Sequence, residues 1–332
     1  MVFSSLSFVL FFTVFFLLYW FVFNKSLRLQ NLLLLVGSYI FYAWADWRLL
    51  SFLVAASALN YILGIYIEKT SNPVRRKVLL YIGIIESVGS LVYFKYFNFF
   101  IDSFNDLFNI LQFKLSLQTL HIILPLGISF FSFKLLSYIL DVDKGKIEAT
   151  KNWLVFFSYV AFFPTLLSGP IDKARTFVPQ LQKIRVFEYN KAVDGLRQIL
   201  WGLFKKVVIA DNCAEYANVI FNNSSDYSGS TLVLGALFFT FQIYGDFSGY
   251  SDIAIGTARL FGMDLLRNFA FPYFSRDIAE FWRRWHISLS TWFRDYLYIP
   301  LGGSKGGNWM RIRNTFIIFV VSGFWHGANW TF

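Results

Sequence analysis

Two of the three histidines in this chain stand in settings that suit proton transfer. His326 lies in the stretch Val321–Ser322–Gly323–Phe324–Trp325–His326–Gly327–Ala328–Asn329–Trp330, between aromatic and small residues, inside an apolar run that starts near Phe316. Arg311 and Arg313 precede that run and mark a membrane interface. On a helix, His326 lies 13 residues beyond Arg313, about 20 Å along the axis at ~1.5 Å per residue. The hydrocarbon of a bilayer is about 30 Å thick, which puts the imidazole at membrane depth. An ionisable group there is costly and normally faces a water-filled cavity or a partner. A packing histidine satisfied by its neighbours is the alternative. An imidazole with an ordinary pKa near 6.5 also suits a general base.

His286 sits in a different setting. Residues 275–300 read as one amphipathic helix, with Phe281, Trp285, Leu289, Trp292 and Tyr296 on one face and Arg283, His286, Ser290 and Arg294 on another. One reading is a helix lying in the headgroup layer, its tryptophans anchoring it and its arginines on lipid phosphates. The other is a cationic wall for a phosphate-bearing donor, because guanidinium forks grip phosphate bidentately. Arginines beside His286 disfavour a further positive charge and tend to keep that imidazole neutral. The following Pro300–Leu301–Gly302–Gly303–Ser304–Lys305–Gly306–Gly307 is a flexible basic loop whose glycines do not fit phosphate-loop spacing, so it implies no nucleotide fold.

A third cluster is Gly245–Asp246–Phe247–Ser248–Gly249–Tyr250–Ser251–Asp252, followed by Gly256. Gly245, Gly249, Asp252 and Gly256 share one helical face, a small-residue stripe that allows close helix approach. Packing accounts for the glycines but not for Asp246 and Asp252, which need partners in apolar surroundings. Six residues apart, the two carboxylates point to different faces and do not form a paired acid–base site.

The elements that must hold these residues are apolar and helical. The chain is 56% hydrophobic and 21% aromatic, with 15% charged residues and 42 phenylalanines. Runs long enough to span a bilayer recur along it, the pattern of an all-α polytopic integral membrane protein. The net charge of +10 is therefore not a nucleic-acid footprint. Lysine and arginine collect between the apolar runs, as cytoplasmic loops require. A single cysteine, Cys213, excludes an intramolecular disulfide and a cysteine-ligand metal cluster.

Taken in order, spans are predicted at residues 3–23, 30–45, 49–67 and 78–101. The first has no basic residue ahead of it and no cleavage site, so it reads as a retained span. Lys25 and Arg28 after it imply an outside amino terminus. The loop 69–77, with Lys69, Arg75, Arg76 and Lys77, reads as cytoplasmic, and Asp102, Asp106 and Lys114 form an outer polar segment. Residues 120–140 are apolar but broken by Pro125 and Gly127, and carry His121 and Lys134. Residues 153–168 are short for a span and end at Pro164 and Gly169–Pro170. The basic loop 171–191 should be cytoplasmic, which requires 153–168 to be re-entrant, with broken backbone lining a cavity. Residues 192–210 and 231–263 are further helical stretches. A single membrane-embedded domain over 1–332 is expected, with amino-terminal spans in 1–118 and a motif-bearing core in 119–332.

The motifs together resemble the membrane-bound O-acyltransferase family. The likeness runs from Gln242–Ile243–Tyr244 and Asp246–Phe247–Ser248–Gly249–Tyr250–Ser251–Asp252, through Phe281–Trp282–Arg283–Arg284–Trp285–His286–Ile287–Ser288–Leu289–Ser290 and Phe293–Arg294–Asp295–Tyr296, to Trp325–His326–Gly327. Phe163–Pro164 and Ser168–Gly169–Pro170 are similar to the family's middle. Tyr298–Ile299–Pro300–Leu301–Gly302–Gly303 resembles the bacterial alginate O-acetyltransferase branch; the D-alanyl transfer branch usually lacks that ending. Family members usually continue with further spans beyond the Trp-His-Gly motif, so the resemblance implies that carboxyl-terminal spans are missing after Phe332.

The resemblance implies a ring of transmembrane and re-entrant helices around a tunnel. In it a cytoplasmic thioester donor, acetyl-CoA or another acyl thioester, meets an acceptor hydroxyl reached from the other side. His326 matches the family's catalytic histidine and His286 its second motif position. Trp282, Arg283, Arg284, Arg294, Asp295, Trp325, Asp246, Ser248 and Asp252 are the implied donor-binding or tunnel-lining residues. The indole of Trp325 or a nearby amide is the candidate oxyanion donor. No metal and no permanently bound cofactor is implied. The implied setting is multi-pass in a bacterial inner membrane, with a polysaccharide acceptor, a periplasmic acetyltransferase partner and no nucleic acid. A D-alanyl or lipid O-acyltransferase of the same family is the alternative; a transporter and a non-catalytic membrane scaffold are the readings from other classes.

Overall fold

The computed structural model describes residues 3–112 and 117–329; Lys114 of the outer polar segment and Trp330 of the terminal motif lie outside the described residues. Every regular element among the described residues is helical. The chain opens with α1 (Leu6–Leu17), which runs on through a wider turn at Leu18–Val22, then α2 (Leu27–Ala43), α3 (Arg48–Lys69) and α4 (Pro73–Ile110). Next come α5 (Ile128–Asp143), α6 (Trp153–Ala161), α7 (Phe163–Leu166) and α8 (Ala174–Leu181). The second half holds α9 (Tyr189–Leu203), α10 (Asp211–Asn222), α11 (Gly229–Leu260), α12 (Ile278–Arg284), α13 (Ile287–Phe293) and α14 (Gly307–His326).

Helices α3, α4 and α11 are long and apolar enough to cross a membrane, and Leu6–Val22 and Leu27–Ala43 are shorter apolar stretches. At 38 residues, α4 is about 57 Å long and overruns the ~30 Å hydrocarbon layer at its ends. Its start is set locally: the Asn72 side chain accepts the amides of Val74 and Arg75 at 2.9 and 3.2 Å, and Pro73 occupies the first turn, where no amide partner is needed. Residues 153–168 form α6 and α7, separated at Phe162; the nine residues of α6 cover only about 14 Å, too short to cross a bilayer core. The apolar run 120–140 becomes helical only from Ile128, after Gly127 takes a positive φ of 71° that favours glycine.

The chain divides into two compact units. One comprises Met1–Asp46, Ala161–Asp172 and Thr176–Ser290. Its core is aromatic: Phe15, Phe163 and Phe261 meet edge to face, with Phe15 5.7 Å from Phe163 and 5.2 Å from Phe261. Tyr19 and Trp20 donate to the carbonyls of Phe261 and Leu260 at 3.2 and 2.8 Å, satisfying acceptors at the carboxyl end of α11. Helices α9 and α11 cross at glycines. A Cβ on Gly202 would lie 2.6 Å from the Gly249 carbonyl oxygen, and one on Gly195 would lie 2.8 Å from that of Gly256. The small-residue stripe read from the sequence thus meets a matching pair, Gly195 and Gly202, on α9.

The other unit comprises Trp47–Val160, Lys173–Arg175 and Thr291–Phe332. In it α3, α4 and α5 pack against one another, with Tyr138 over Gly64 and Ile139 over Gly83. Asn60 on α3 donates to Glu86 on α4 at 2.8 Å, and Arg76 clasps Asp143 at 2.8 Å. The terminal helix α14 ends at His326, and Gly327 is extended with φ −164°. Arg313 and His326 lie on one continuous helix.

Candidate active site

His326 occupies the last turn of α14, where helix carbonyls lack intrahelical partners. Lys95 of α4 supplies them: its ammonium donates to the carbonyl of Trp325 and, at 2.8 Å, to that of His326. The Tyr96 hydroxyl reaches the Gly327 carbonyl at 3.3 Å, and its ring stacks on Phe324 at 3.9 Å. Trp325 is buried, stacked on Phe133 at 5.4 Å, with its indole edge to face with the His326 ring at 4.7 Å. The backbone of the motif is therefore held by Lys95 and Tyr96, while the imidazole lies against the Trp325 indole. Lys95 was not among the residues picked from the sequence, although an ionisable side chain inside the apolar run 78–101 is itself a functional signal.

The same unit carries Asp295 and Arg294. Asp295 is buried and takes Lys173 at 2.6 Å, Arg175 at 2.9 Å and Arg294 at 2.9 Å. Burial pushes its carboxyl up, but the hydrogen bond from Lys173 and the charges of Lys173 and Arg294 outweigh that and hold it at about 2. Neighbouring Tyr296 donates to Asp141 at 2.7 Å. Asp295 thus serves as the anchor of a cationic cluster, and part of the charge of Arg294 is spent on it.

The other unit holds His286, and here the single amphipathic helix expected over 275–300 is corrected. The backbone breaks between α12 and α13, with His286 itself at φ 42°. A buried side chain sustains the break: Asn268 Oδ1 lies 3.0 Å from His286 Nδ1 and accepts the Ser288 hydroxyl at 2.9 Å, and the Asn268 carbonyl accepts the Ile287 amide at 2.8 Å. His286 is buried, edge to face with Phe247 at 4.6 Å. Because the helical phase is lost at this kink, Arg283, His286, Ser290 and Arg294 do not form one continuous face. Arg284 pairs with Glu280 at 2.5 Å, and Glu280, capped also by Arg276, is held at about 2 by the Arg276 amide and guanidinium. Arg283 and Trp282 are exposed.

Asp246 and Asp252 have separate partners, as their spacing requires. Asp246 pairs with Lys206 at 2.5 Å. Asp252 pairs with Lys205, which also donates to Ser248 at 3.0 Å, and takes the Gln198 amide at 3.0 Å. Gln198, Lys205 and Asp252 line a cavity of about 470 Å³ walled by α9, the wider turn Phe204–Ala210 that follows it, α11 and the segment 265–271. Asn268 lines it too, so the cavity and His286 share one side chain. Sequence reading missed the cations gathered here, Arg197, Lys205, Arg259 and Arg267, because they come from three separate segments with no common period.

Residues 147–332 match the profile of the membrane-bound O-acyltransferase family. The whole chain aligns at 43% identity with a probable alginate O-acetylase of Azotobacter vinelandii, covering 66% of that protein. At 37% identity, 93% of the chain aligns with a peptidoglycan O-acetyltransferase of Helicobacter pylori, covering 62% of it. At 32% identity, 61% of the chain aligns with a teichoic acid D-alanyltransferase of Bacillus subtilis, covering 53% of it. The chain thus spans just under two thirds of the length of the first two relatives.

Proposed function

The chain belongs to the membrane-bound O-acyltransferase family, and on that premise we propose that it moves an acetyl group from a cytoplasmic thioester, acetyl-CoA, towards the hydroxyl of an extracytoplasmic polysaccharide. His326 is the general base. The acceptor oxygen bonds to the thioester carbonyl carbon as its proton passes to the imidazole; the carbon–sulfur bond then breaks, and the imidazolium returns the proton to the departing thiolate. The Trp325 indole or a nearby amide steadies the oxyanion in between. The observation that carries this reading is the imidazole at the end of α14, on a motif whose backbone is fixed by Lys95 and Tyr96. His286, buried and held by Asn268, orients rather than transfers.

The acceptor reading leans on the polysaccharide named for two of the relatives, and a periplasmic acetyltransferase is the expected intermediary. The protein is placed in a bacterial inner membrane with loops 69–77 and 171–191 cytoplasmic, from their basic residues. A D-alanyl donor is favoured less, since that relative matches over a smaller part of the chain. Transfer of label from acetyl-CoA by the purified full-length protein, set beside a D-alanyl carrier protein as donor, tests the reading. Acetyl transfer alone supports it; transfer from the carrier alone, or from neither, overturns it.

A further inference from the structure

The cavity walled by α9 and α11 holds four cationic side chains against two carboxylates, Asp194 and Asp252. Both carboxylates are already matched. Asp194 pairs with Arg259, which also donates to Gln198 at 2.7 Å, and Asp252 pairs with Lys205. Two positive charges remain. Arg197 is exposed on α9 and has no carboxylate within ion-pair distance among the described residues. Arg267 is exposed as well; its Nε donates to the Phe269 carbonyl at 2.7 Å and its guanidinium lies 5.3 Å from the centre of the Phe271 ring. These contacts fix the orientation of Arg267 while leaving its two terminal nitrogens to a ligand.

Apart from Gln198, Ser251 and Asn268, the rest of the lining is aromatic and apolar. Trp201, Tyr244, Phe269 and Phe271 stand beside the arginines, and Trp201 and Phe271 remain exposed. A pocket with two surplus, exposed guanidinium groups beside exposed aromatic rings matches a ligand that is anionic at one end and apolar along its length. Guanidinium forks fit phosphate oxygens two at a time, and a volume of about 470 Å³ is in the range that takes one such group with part of its chain.

We propose that this cavity is a binding site for the phosphate of an anionic amphiphile, gripped by Arg197 and Arg267. Two sources share that chemistry: a phospholipid headgroup, and the phosphates of the coenzyme A thioester, the latter resting on the acyl-transfer reading above. In the second case Asn268, which lines the cavity and holds His286, links donor binding to that histidine. Of the arginines read from the sequence as a phosphate grip, Arg284 and Arg294 are engaged by Glu280 and Asp295.

The test is equilibrium binding to the purified full-length protein, with no turnover required. Coenzyme A is titrated onto detergent-solubilised protein, and phosphatidylglycerol and phosphatidylcholine nanodiscs are compared by native mass spectrometry for retained lipid. Charge-assisted hydrogen bonds are worth about 1.5–3 kcal/mol each, so Arg197→Gln and Arg267→Gln should each weaken the relevant ligand roughly tenfold or more. Arg267→Lys, which keeps the charge and loses the fork, should fall between. Arg75→Gln, an exposed charge at the start of α4, should change nothing. Weakened coenzyme A binding identifies the donor as the source; loss of retained phosphatidylglycerol with unaltered coenzyme A binding identifies the lipid. If folded Arg197→Gln and Arg267→Gln proteins bind both ligands like the parent, the proposal is wrong. Bound coenzyme A without any acetyl transfer by the parent would leave this site standing and refute the acyl-transfer reading alone.

Discussion

The crossing of α9 and α11 is the most heavily constrained packing contact near the cavity, and Gly249→Ala probes it with a single methyl group. The new Cβ would lie 2.7 Å from the Gly202 carbonyl oxygen and 3.1 Å from the Lys206 nitrogen. Both are backbone atoms, so neither can rotate away. Restoring an ordinary contact of ~3.4 Å requires the helices to part by about 0.7 Å, since cores move as packed bodies. Overpacking of this kind costs about 1–3 kcal/mol. At ~2–4 °C per kcal/mol for a chain of a few hundred residues, the melting temperature should fall by roughly 2–12 °C. The Lys205–Asp252 pair bridges the same crossing and should loosen with it. Thermal unfolding in detergent, followed by intrinsic fluorescence, measures the shift. Gly229→Ala is the control, because nothing lies within 4 Å of a Cβ there; it should be neutral or slightly stabilising. A Gly249→Ala protein that melts within a degree of the parent would refute the close-approach argument.

Two further outcomes follow from the polar contacts. Lys95→Met removes the ammonium from the Trp325 and His326 carbonyls; at about 1.5–3 kcal/mol for a charge-assisted bond, kcat for acetyl transfer should fall roughly tenfold or more with donor affinity unchanged, which steady-state kinetics beside a binding titration separates. Asp295, held at about 2 against an ordinary value of 3.8, contributes stability that is present above the unfolded value and is lost as the pH falls from about 4 to 2; Asp295→Asn should flatten the melting temperature across that window, and an unchanged pH profile would contradict the cluster.

What was legible in the sequence was whatever repeats locally. The apolar runs located α1 to α4 and α11 because a span must satisfy its own backbone over some twenty residues. The stripe Gly245, Gly249, Gly256 announced a close crossing, since nothing else explains small residues at that period. The arginine face of 275–300 misled because its periodicity assumes an unbroken helix. The break at His286 is sustained by Asn268, 18 residues earlier, and no periodicity records such a contact. Glu280, four residues before Arg284, was a local hint that this arginine was already engaged. Lys95 is a cation in an apolar run and was passed over, and its acceptors lie 230 and 231 residues on. The cavity cations come from α9 and the turn after it, from α11 and from the segment between α11 and α12, and only the fold brings them together.

The central claim is that the His326 imidazole carries the proton in acyl transfer. It is tested most directly by comparing acetyl transfer from acetyl-CoA by the purified full-length protein and its His326→Ala variant, at matched protein levels and equal melting temperature. General-base catalysis typically contributes about 10²–10⁴-fold. The motif's backbone is held by Lys95 and Tyr96 rather than by the imidazole, so the variant should fold like the parent and lose at least about a hundredfold in turnover. A folded His326→Ala protein that keeps near-parental turnover would contradict the account.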